Sequence, residues 1–180
     1  GQAISPFLLL DYAAPYPFAP TAEQHGVGSH PHRGFETVTL AYQGEVSHKD
    51  SAGDGGTIQS GDVQWMTAGA GVVHEEFHSP DFAKNGGVFE MVQLWVNLPA
   101  KDKMTAPKYQ AILKQDIPVL EFADQAGHLR VIAGEYAGQH GPASTFSPVN
   151  VWDGVLKSGH AELMHVPVDH NVLLVLLEGE

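Results

Sequence analysis

The stretch FETVTLAYQG (residues 35–44) is dominated by β-branched and aromatic residues and ends in a glutamine–glycine pair. Residues of these types favour extended backbone, because their side chains pack well on a pleated surface. The closing glycine is typical of a tight turn, and the residues EVSH (45–48) continue in an extended style. The sequence therefore predicts a strand over residues 35–42 and a partner strand directly after it.

Short apolar segments of the same kind continue along the chain beyond this pair of strands. Twenty glycines and twelve prolines separate the segments, which favours short strands joined by turns. Strands of this length and spacing are typical of a sandwich or barrel, so we predict an all-β fold. The further predicted strands lie at residues 57–59, 63–67, 72–77, 88–98, 119–122, 129–134, 149–152 and 163–166.

The region 99–114 differs from its surroundings because it carries most of the lysines of the chain. It predicts a short helix or an ordered linker, and the strand pattern resumes after it. We therefore place a domain boundary near residue 105, between domains at 1–105 and 106–180. The apolar run LLVLLEGE (173–180) resembles a buried strand entering a turn, so we expect the sequence to be part of a longer protein.

Composition excludes several classes of function. The formal net charge of −12 disfavours direct binding to nucleic acid or to an anionic membrane, since both are polyanions. The absence of cysteine excludes disulfides, thiolate metal sites and cysteine nucleophiles. The only apolar stretch near the start, residues 7–10, is too short for a signal peptide or a membrane span. We expect a soluble, cytoplasmic protein.

Two short clusters, HPH (30–32) and HEE (74–76), carry the residues that indicate chemistry. Residues two apart in a strand point to the same face. His30 and His32 therefore reach one point, and so do His74 and Glu76. If the two strands lie together, three imidazoles and one carboxylate converge, and this donor set suits iron, manganese, nickel, copper or zinc.

Other residues compete for a place in this site. Glu36 shares strand parity with the first pair and His78 with the second, so each is a candidate fifth ligand or a partner that orients a ligand. Glu75 points to the opposite face of a regular strand. His48 has no partner at ligand spacing and is interpreted as an exposed hairpin residue. The remaining histidines are interpreted as structural, exposed or loop residues: His25, His128, His140, His160, His165 and His170.

Three neutral imidazoles and one carboxylate leave one or two positions open on a divalent ion. Open positions favour catalysis, because structural metal sites are closed. A carboxylate beside open positions suits iron chemistry with dioxygen, by analogy with iron oxygenases that use two histidines and one carboxylate. The chain contains no dinucleotide loop, phosphate-binding P-loop or nucleophile elbow.

Several segments resemble the pirin family of the cupin superfamily. HPHRGFETV (30–38) resembles the first metal motif of that family, and GDVQWMTAGAGVVHEE (61–76) resembles the second. The segments PFLLLD (6–11), QLWVNLP (93–99) and VIAG (131–134) resemble its opening segment, a following strand and part of its second domain. The resemblance covers nearly the whole chain.

The resemblance implies a bicupin, with two jelly-roll-like β-barrel domains face to face, of which the second is truncated here. It implies one metal, in the N-terminal domain alone. The ligands of the family carry over to His30, His32, His74 and Glu76. The usual cupin carboxylate would instead be Glu36, but the pirin pattern takes it from the second motif.

The resemblance also implies a function. The leading hypothesis is an iron-dependent dioxygenase of the quercetinase kind, in which Glu76 is the general base and a flavonol lies against apolar residues such as Phe35, Trp65 and Met66. The alternative is a non-catalytic, redox-responsive iron protein that binds a transcription factor or a metabolic enzyme. A weaker alternative is a sugar isomerase of the cupin type.

Overall fold

Strands make up most of the regular structure in a computed structural model, which describes residues 4–51 and 53–179. The prediction of an all-β fold is confirmed, and the described residues contain one short helix and three single 3₁₀ turns beside the strands. The strands of the first half are β1 (Phe7–Phe18), β2 (Gly26–His32), β3 (Phe35–Gln43), β4 (Val46–Asp50), β5 (Gly55–Ile58), β6 (Val63–Thr67), β7 (Val72–His78) and β8 (Gly87–Asn97). The later strands are β9 (Lys108–Ile112), β10 (Val119–Glu121), β11 (Gly127–Ala133), β12 (Glu135–Tyr136), β13 (Gln139–His140) and β14 (Val151–Leu156), and helix α1 spans Pro80–Asn85.

Two antiparallel sheets contain all the strands of the first half. One has the order β1-β8-β3-β6-β9 and the other the order β2-β7-β4-β5. Strand β3, from the stretch that predicts the fold, is therefore central, and both of its neighbours are antiparallel to it. Strand β9 follows the predicted boundary at residue 105 and still joins the first sheet, by pairing with β6. The boundary itself stays a prediction.

The two faces of the five-stranded sheet differ in chemistry. Along β3, Val38 and Leu40 belong to the main hydrophobic core, whereas Thr37 and Thr39 alternate with them and lie on the other face. Cross-strand partners share a face, so Gln93, which pairs with Thr39, also lies on this polar face. One face thus builds a core and leaves the other for polar side chains.

The second half packs on the apolar face. Strands β10, β11 and β14 form a three-stranded sheet. Ile132, Val149 and Val151 from this half join the same core cluster as Val38 and Trp65. The burial of a continuous apolar layer between the two halves is the main stabilising contribution that this geometry offers.

Trp65 should be among the residues on which stability depends most, because its side chain is 0% exposed within this core. We expect Trp65→Ala to lower the free energy of unfolding by about 3–5 kcal/mol, the usual cost of emptying a buried aromatic position. Leu113→Ala is the matched control, since Leu113 is 42% exposed. Urea unfolding followed by circular dichroism measures both, and equal losses would contradict this account of the core.

Three sequence predictions about strands need correction. Strand β4 is not the partner of β3, because it lies in the other sheet between β7 and β5. The predicted strand at 163–166 does not form, and the apolar run at 173–177 has no strand structure; both segments are irregular and largely exposed. Strand β1, which was not predicted from the sequence, continues through Pro15 and Pro17. It lies at the edge of its sheet, where proline is tolerated because one side of the strand needs no ladder hydrogen bonds.

None of the described helices has the length and hydrophobicity that a bilayer crossing needs.

Candidate metal centre

Strands β2 and β7 bring the two histidine clusters together. They pair antiparallel with His30 directly opposite His74. The two Nε2 atoms of this pair are 3.0 Å apart, and His32 completes the group. Each of the three rings offers a nitrogen within 4.8 Å of the others, and no other such cluster is found in the described residues. The structure therefore brings three of the four predicted ligands to one point.

Glycines at two turns make this approach of strands compatible with the rest of the two sheets. Gly34 has φ +75°, a conformation that suits glycine, and lets the chain turn directly after His32 into β3. Gly69 has φ +50° and leads towards β7; a Cβ there would lie 2.1 Å from the carbonyl oxygen of Thr105. Both turns lie next to strands that carry the cluster, and a side chain at Gly69 would push against the backbone of Thr105.

Two of the three rings, His32 and His74, are held as neutral imidazoles at neutral pH. Burial, reinforced by the neighbouring rings, lowers the pKa of His74 to about 3 and that of His32 to about 4. His30 is half-buried, and its Nδ1 lies 2.8 Å from the carbonyl oxygen of Gly28. A carbonyl only accepts, so Nδ1 carries a hydrogen, and the neutral tautomer that matches this contact has its lone pair on Nε2. The neutral ring is the form that binds a metal.

This geometry fits a divalent transition metal. Two imidazole nitrogens bound at about 2.1 Å and at right angles around one ion lie about 3.0 Å apart, which matches the distance between His30 and His74. The same distance suits an N–H···N hydrogen bond between these rings when no metal is bound. In addition, Nδ1 of His74 is buried without a hydrogen-bond partner in the described part of the chain.

Glu76, the fourth predicted ligand, lies near the histidines but outside their cluster. It follows His74 by two residues on β7 and is 9% exposed. Its carboxylate oxygens accept hydrogen bonds from Nε2 of Gln93, at 3.4 Å to Oε1 and 3.2 Å to Oε2. Burial raises the pKa of Glu76, while the hydrogen bond from Gln93 and the nearby His30 oppose this shift.

The two competing candidates lie elsewhere. Glu36 is on the face of β3 that also carries Val38 and Leu40, opposite the polar face. There Oγ1 of Thr67 donates to its Oε1 at 2.7 Å. The turn at Gly34 interrupts the strand, so the parity that linked Glu36 to the first histidine pair does not continue. His78 packs against Phe18 and two further phenylalanines, with ring centroids 4.6–4.9 Å apart. The structure thus groups neither residue with the three imidazoles.

The interpretation of His48 as an exposed residue is wrong. His48 is half-buried, lies opposite Glu76 on the neighbouring strand β4, and stacks on Tyr109 with ring centroids 4.6 Å apart. This position could not be predicted from the spacing of residues, because β4 pairs with β7 although β5 and β6 lie between them in the chain. His165, by contrast, is exposed, as its interpretation required.

The apolar residues proposed to line a pocket divide between the two faces. Phe35 is half-buried and contacts His32 and Trp95, with ring centroids at 5.1 and 4.6 Å. Trp65 belongs to the core on the opposite face, so it cannot line a pocket at the histidines. Met66 is on the polar face but is fully buried in a small cluster of its own. Phe35 is therefore the remaining candidate of the three.

The lowered pKa values predict how stability depends on pH. In the unfolded chain a histidine takes up a proton near pH 6.5, whereas folded His32 and His74 resist protonation until pH about 4 and about 3. The stability they contribute is therefore full above pH 6.5 and is lost as the pH falls towards these values. We expect the urea midpoint of metal-free protein to fall between about pH 7 and about pH 4.5. The urea midpoint of His74→Gln should fall less steeply with decreasing pH than that of wild type. Identical slopes for the two proteins would contradict the assignment of His74 as a buried neutral ring.

Comparison with known proteins identifies the family. The family model described as Pirin matches residues 1–96, more than half of the chain. The chain belongs to the pirin family. This match includes both pirin segments that carry the histidine clusters.

Pirin-family relatives are similar along nearly the whole chain. The "Putative quercetin 2,3-dioxygenase PA2418" of Pseudomonas aeruginosa is 58% identical over 99% of this chain and 63% of its own length. Pirin-1 of Arabidopsis thaliana is 42% identical over 99% of this chain and 58% of its own length. A crystal structure of quercetin 2,3-dioxygenase from Acinetobacter baumannii is 71% identical, with a TM-score of 0.91 over 93% of this chain and 58% of that one. The chain thus spans about three fifths of the length of these relatives.

Proposed function

We propose that this pirin is a metal-dependent dioxygenase that opens the heterocycle of a flavonol with dioxygen. The observation that carries the proposal is the cluster of three imidazoles, with two buried rings and one half-buried ring. A structural metal site would be closed on all sides. The names of PA2418 and of the Acinetobacter baumannii protein support the choice of substrate.

His30, His32, His74 and Glu76 are the proposed ligands, and iron is the proposed metal, with manganese, nickel, copper and zinc as alternatives. A bound divalent ion would supply positive charge that favours loss of the proton from the 3-hydroxyl of the flavonol. The proposal also includes a bicupin organisation with metal in the N-terminal barrel alone, a domain boundary near residue 105, and a cytoplasmic location.

Glu76 is the proposed general base. Burial raises the pKa of its carboxyl group, which makes the carboxylate a stronger base than an exposed glutamate. It lies two residues from His74 on the same face of β7. A hydroxyl held at the histidine cluster would therefore lie close to an acceptor for its proton.

The aromatic body of the substrate would lie at the half-buried side of the cluster. His30 forms this side, because His32 and His74 are only 7% and 1% exposed. Phe35 and Trp95 pack beside His32, at centroid distances of 5.1 and 5.3 Å. Their rings offer an apolar wall for a planar aromatic ligand.

Oxygen uptake tests the proposed activity. Metal-free protein is reconstituted anaerobically with ferrous iron, and dioxygen consumption and carbon monoxide release are followed after addition of quercetin. We expect both in equal amounts, since opening of the flavonol ring incorporates dioxygen and releases one carbon as carbon monoxide. Absence of turnover with iron, manganese, nickel and copper would overturn the enzyme proposal and favour the regulatory alternative.

A further inference from the structure

Gln93 lies at the centre of a hydrogen-bonded group that joins the two sheets of the first half. It occupies the middle of β8 and lies opposite Thr39 of β3. Its Nε2 donates to Oγ1 of Thr39 at 3.2 Å and to the carboxylate of Glu76 at 3.2 and 3.4 Å. The two hydrogens of one amide group are thereby used, one on each partner.

The orientation of this amide is fixed by Trp95. Indole Nε1, which can only donate, donates to Oε1 of Gln93 at 3.2 Å. A flipped amide would place its oxygen against the carboxylate of Glu76 and its NH₂ group against the indole N–H, so both contacts would be lost. The ring of Trp95 also packs on His32 at a centroid distance of 5.3 Å. Trp95 therefore contacts the proposed ligand His32. It also fixes the orientation of the Gln93 amide, which donates to the proposed ligand Glu76.

We propose that Gln93 is a positioning residue that holds the Glu76 carboxylate beside the histidine cluster, orienting it to complete the metal site. The inference rests on the proposed roles of Glu76 as ligand and base. Gln93 provides the hydrogen bonds to this carboxylate in the described part of the chain. A buried carboxylate with a charge-assisted hydrogen bond keeps its orientation, and partners that orient a ligand strengthen metal binding.

A matched control is available on the same face of the sheet. Gln64 of β6 also lies directly opposite Thr39, on the side away from Gln93. It is 2% exposed, and its Oε1 is buried without a hydrogen-bond partner among the described residues. Gln64 and Gln93 thus share residue type and sheet face, but Gln93 donates to Glu76.

Calorimetric titration with nickel(II), alongside thermal unfolding of the metal-free protein, tests the inference. Methionine matches glutamine in length but cannot donate a hydrogen bond. We expect Gln93→Met to weaken nickel binding by about 10- to 100-fold, the usual effect of removing a partner that orients a ligand. Gln64→Met should leave nickel affinity unchanged. Trp95→Phe, which keeps the ring on His32 but removes the N–H, should weaken nickel binding less than Gln93→Met does.

Kinetics with quercetin separate positioning from packing. Since Gln93 contacts Glu76, Gln93→Met in the iron-loaded protein should lower kcat and leave KM for quercetin unchanged. Nickel affinity equal to wild type in Gln93→Met, or equal losses in Gln93→Met and Gln64→Met, would overturn the inference. If wild type binds nickel but never turns over quercetin, the proposed activity fails, and the nickel titration still decides the role of Gln93.

Discussion

His74→Ala is expected to abolish stoichiometric metal binding. His74 is 1% exposed, its Nε2 lies 3.0 Å from that of His30, and its ring is part of the only described cluster of potential ligands. Removal of this imidazole leaves two histidine nitrogens in the cluster. Loss of a partner that only orients a ligand lowers metal affinity by up to about 100-fold, so loss of a ligand itself should lower it by more than that. Metal per chain after loading with ferrous iron, measured by elemental analysis, should fall from one to near zero.

His78→Ala is the matched control for this experiment. His78 lies on the same strand and the same face as His74 and is also buried, at 8% exposed. It packs among phenylalanines instead of imidazoles, so its loss should disturb packing and leave one metal per chain. The exposed His165 gives a second control through His165→Ala. Equal metal loss in His74→Ala and His78→Ala would show that the ligand set is misassigned.

Glu76→Gln is expected to lower kcat for quercetin by about 10²- to 10⁴-fold, the range for loss of a general base. The amide keeps the size of the side chain and still accepts a hydrogen bond from Gln93, but it cannot take up the proton of the 3-hydroxyl. The rate is to be measured per bound iron, so that a weaker metal site does not count as a loss of proton transfer.

Glu75→Gln controls for the change in charge. Glu75 precedes Glu76 on β7 and points to the other face, where Oγ of Ser29 donates to it at 3.2 Å. Its substitution should leave kcat per iron unchanged. If both variants lose activity equally, or if Glu76→Gln retains it, Glu76 is not the base.

Local periodicity predicted which side chains share a face, and the meeting of the two clusters was predicted on the condition that their strands lie together. His30 and His32 lie two apart in one strand, and pairing of β2 with β7 places His74 against them. Their role as ligands stays a prediction, as does that of Glu76. The composition of residues 35–44 predicted strand β3, and the short apolar segments between glycines and prolines predicted the all-β fold.

The sequence predicted less where a turn or a distant strand decides the position. Parity suggested Glu36 as a ligand, but the left-handed backbone at Gly34 resets it and turns Glu36 to the other face. The predictions that His48 is exposed and that Trp65 lines the pocket were wrong. The environment of each residue depends on which strands are neighbours in the sheets, and this order does not follow from local sequence. Gln93 gave no signal at all, since a single glutamine in an apolar strand is significant only when Glu76 is known to lie across from it.

Anomalous diffraction from crystals loaded with ferrous iron tests the central claim most directly. The account predicts one iron peak per chain, bound within about 2.0–2.3 Å by nitrogens of His30, His32 and His74 and by an oxygen of Glu76. A peak at any other group of residues, or none at these four side chains after loading, would contradict it.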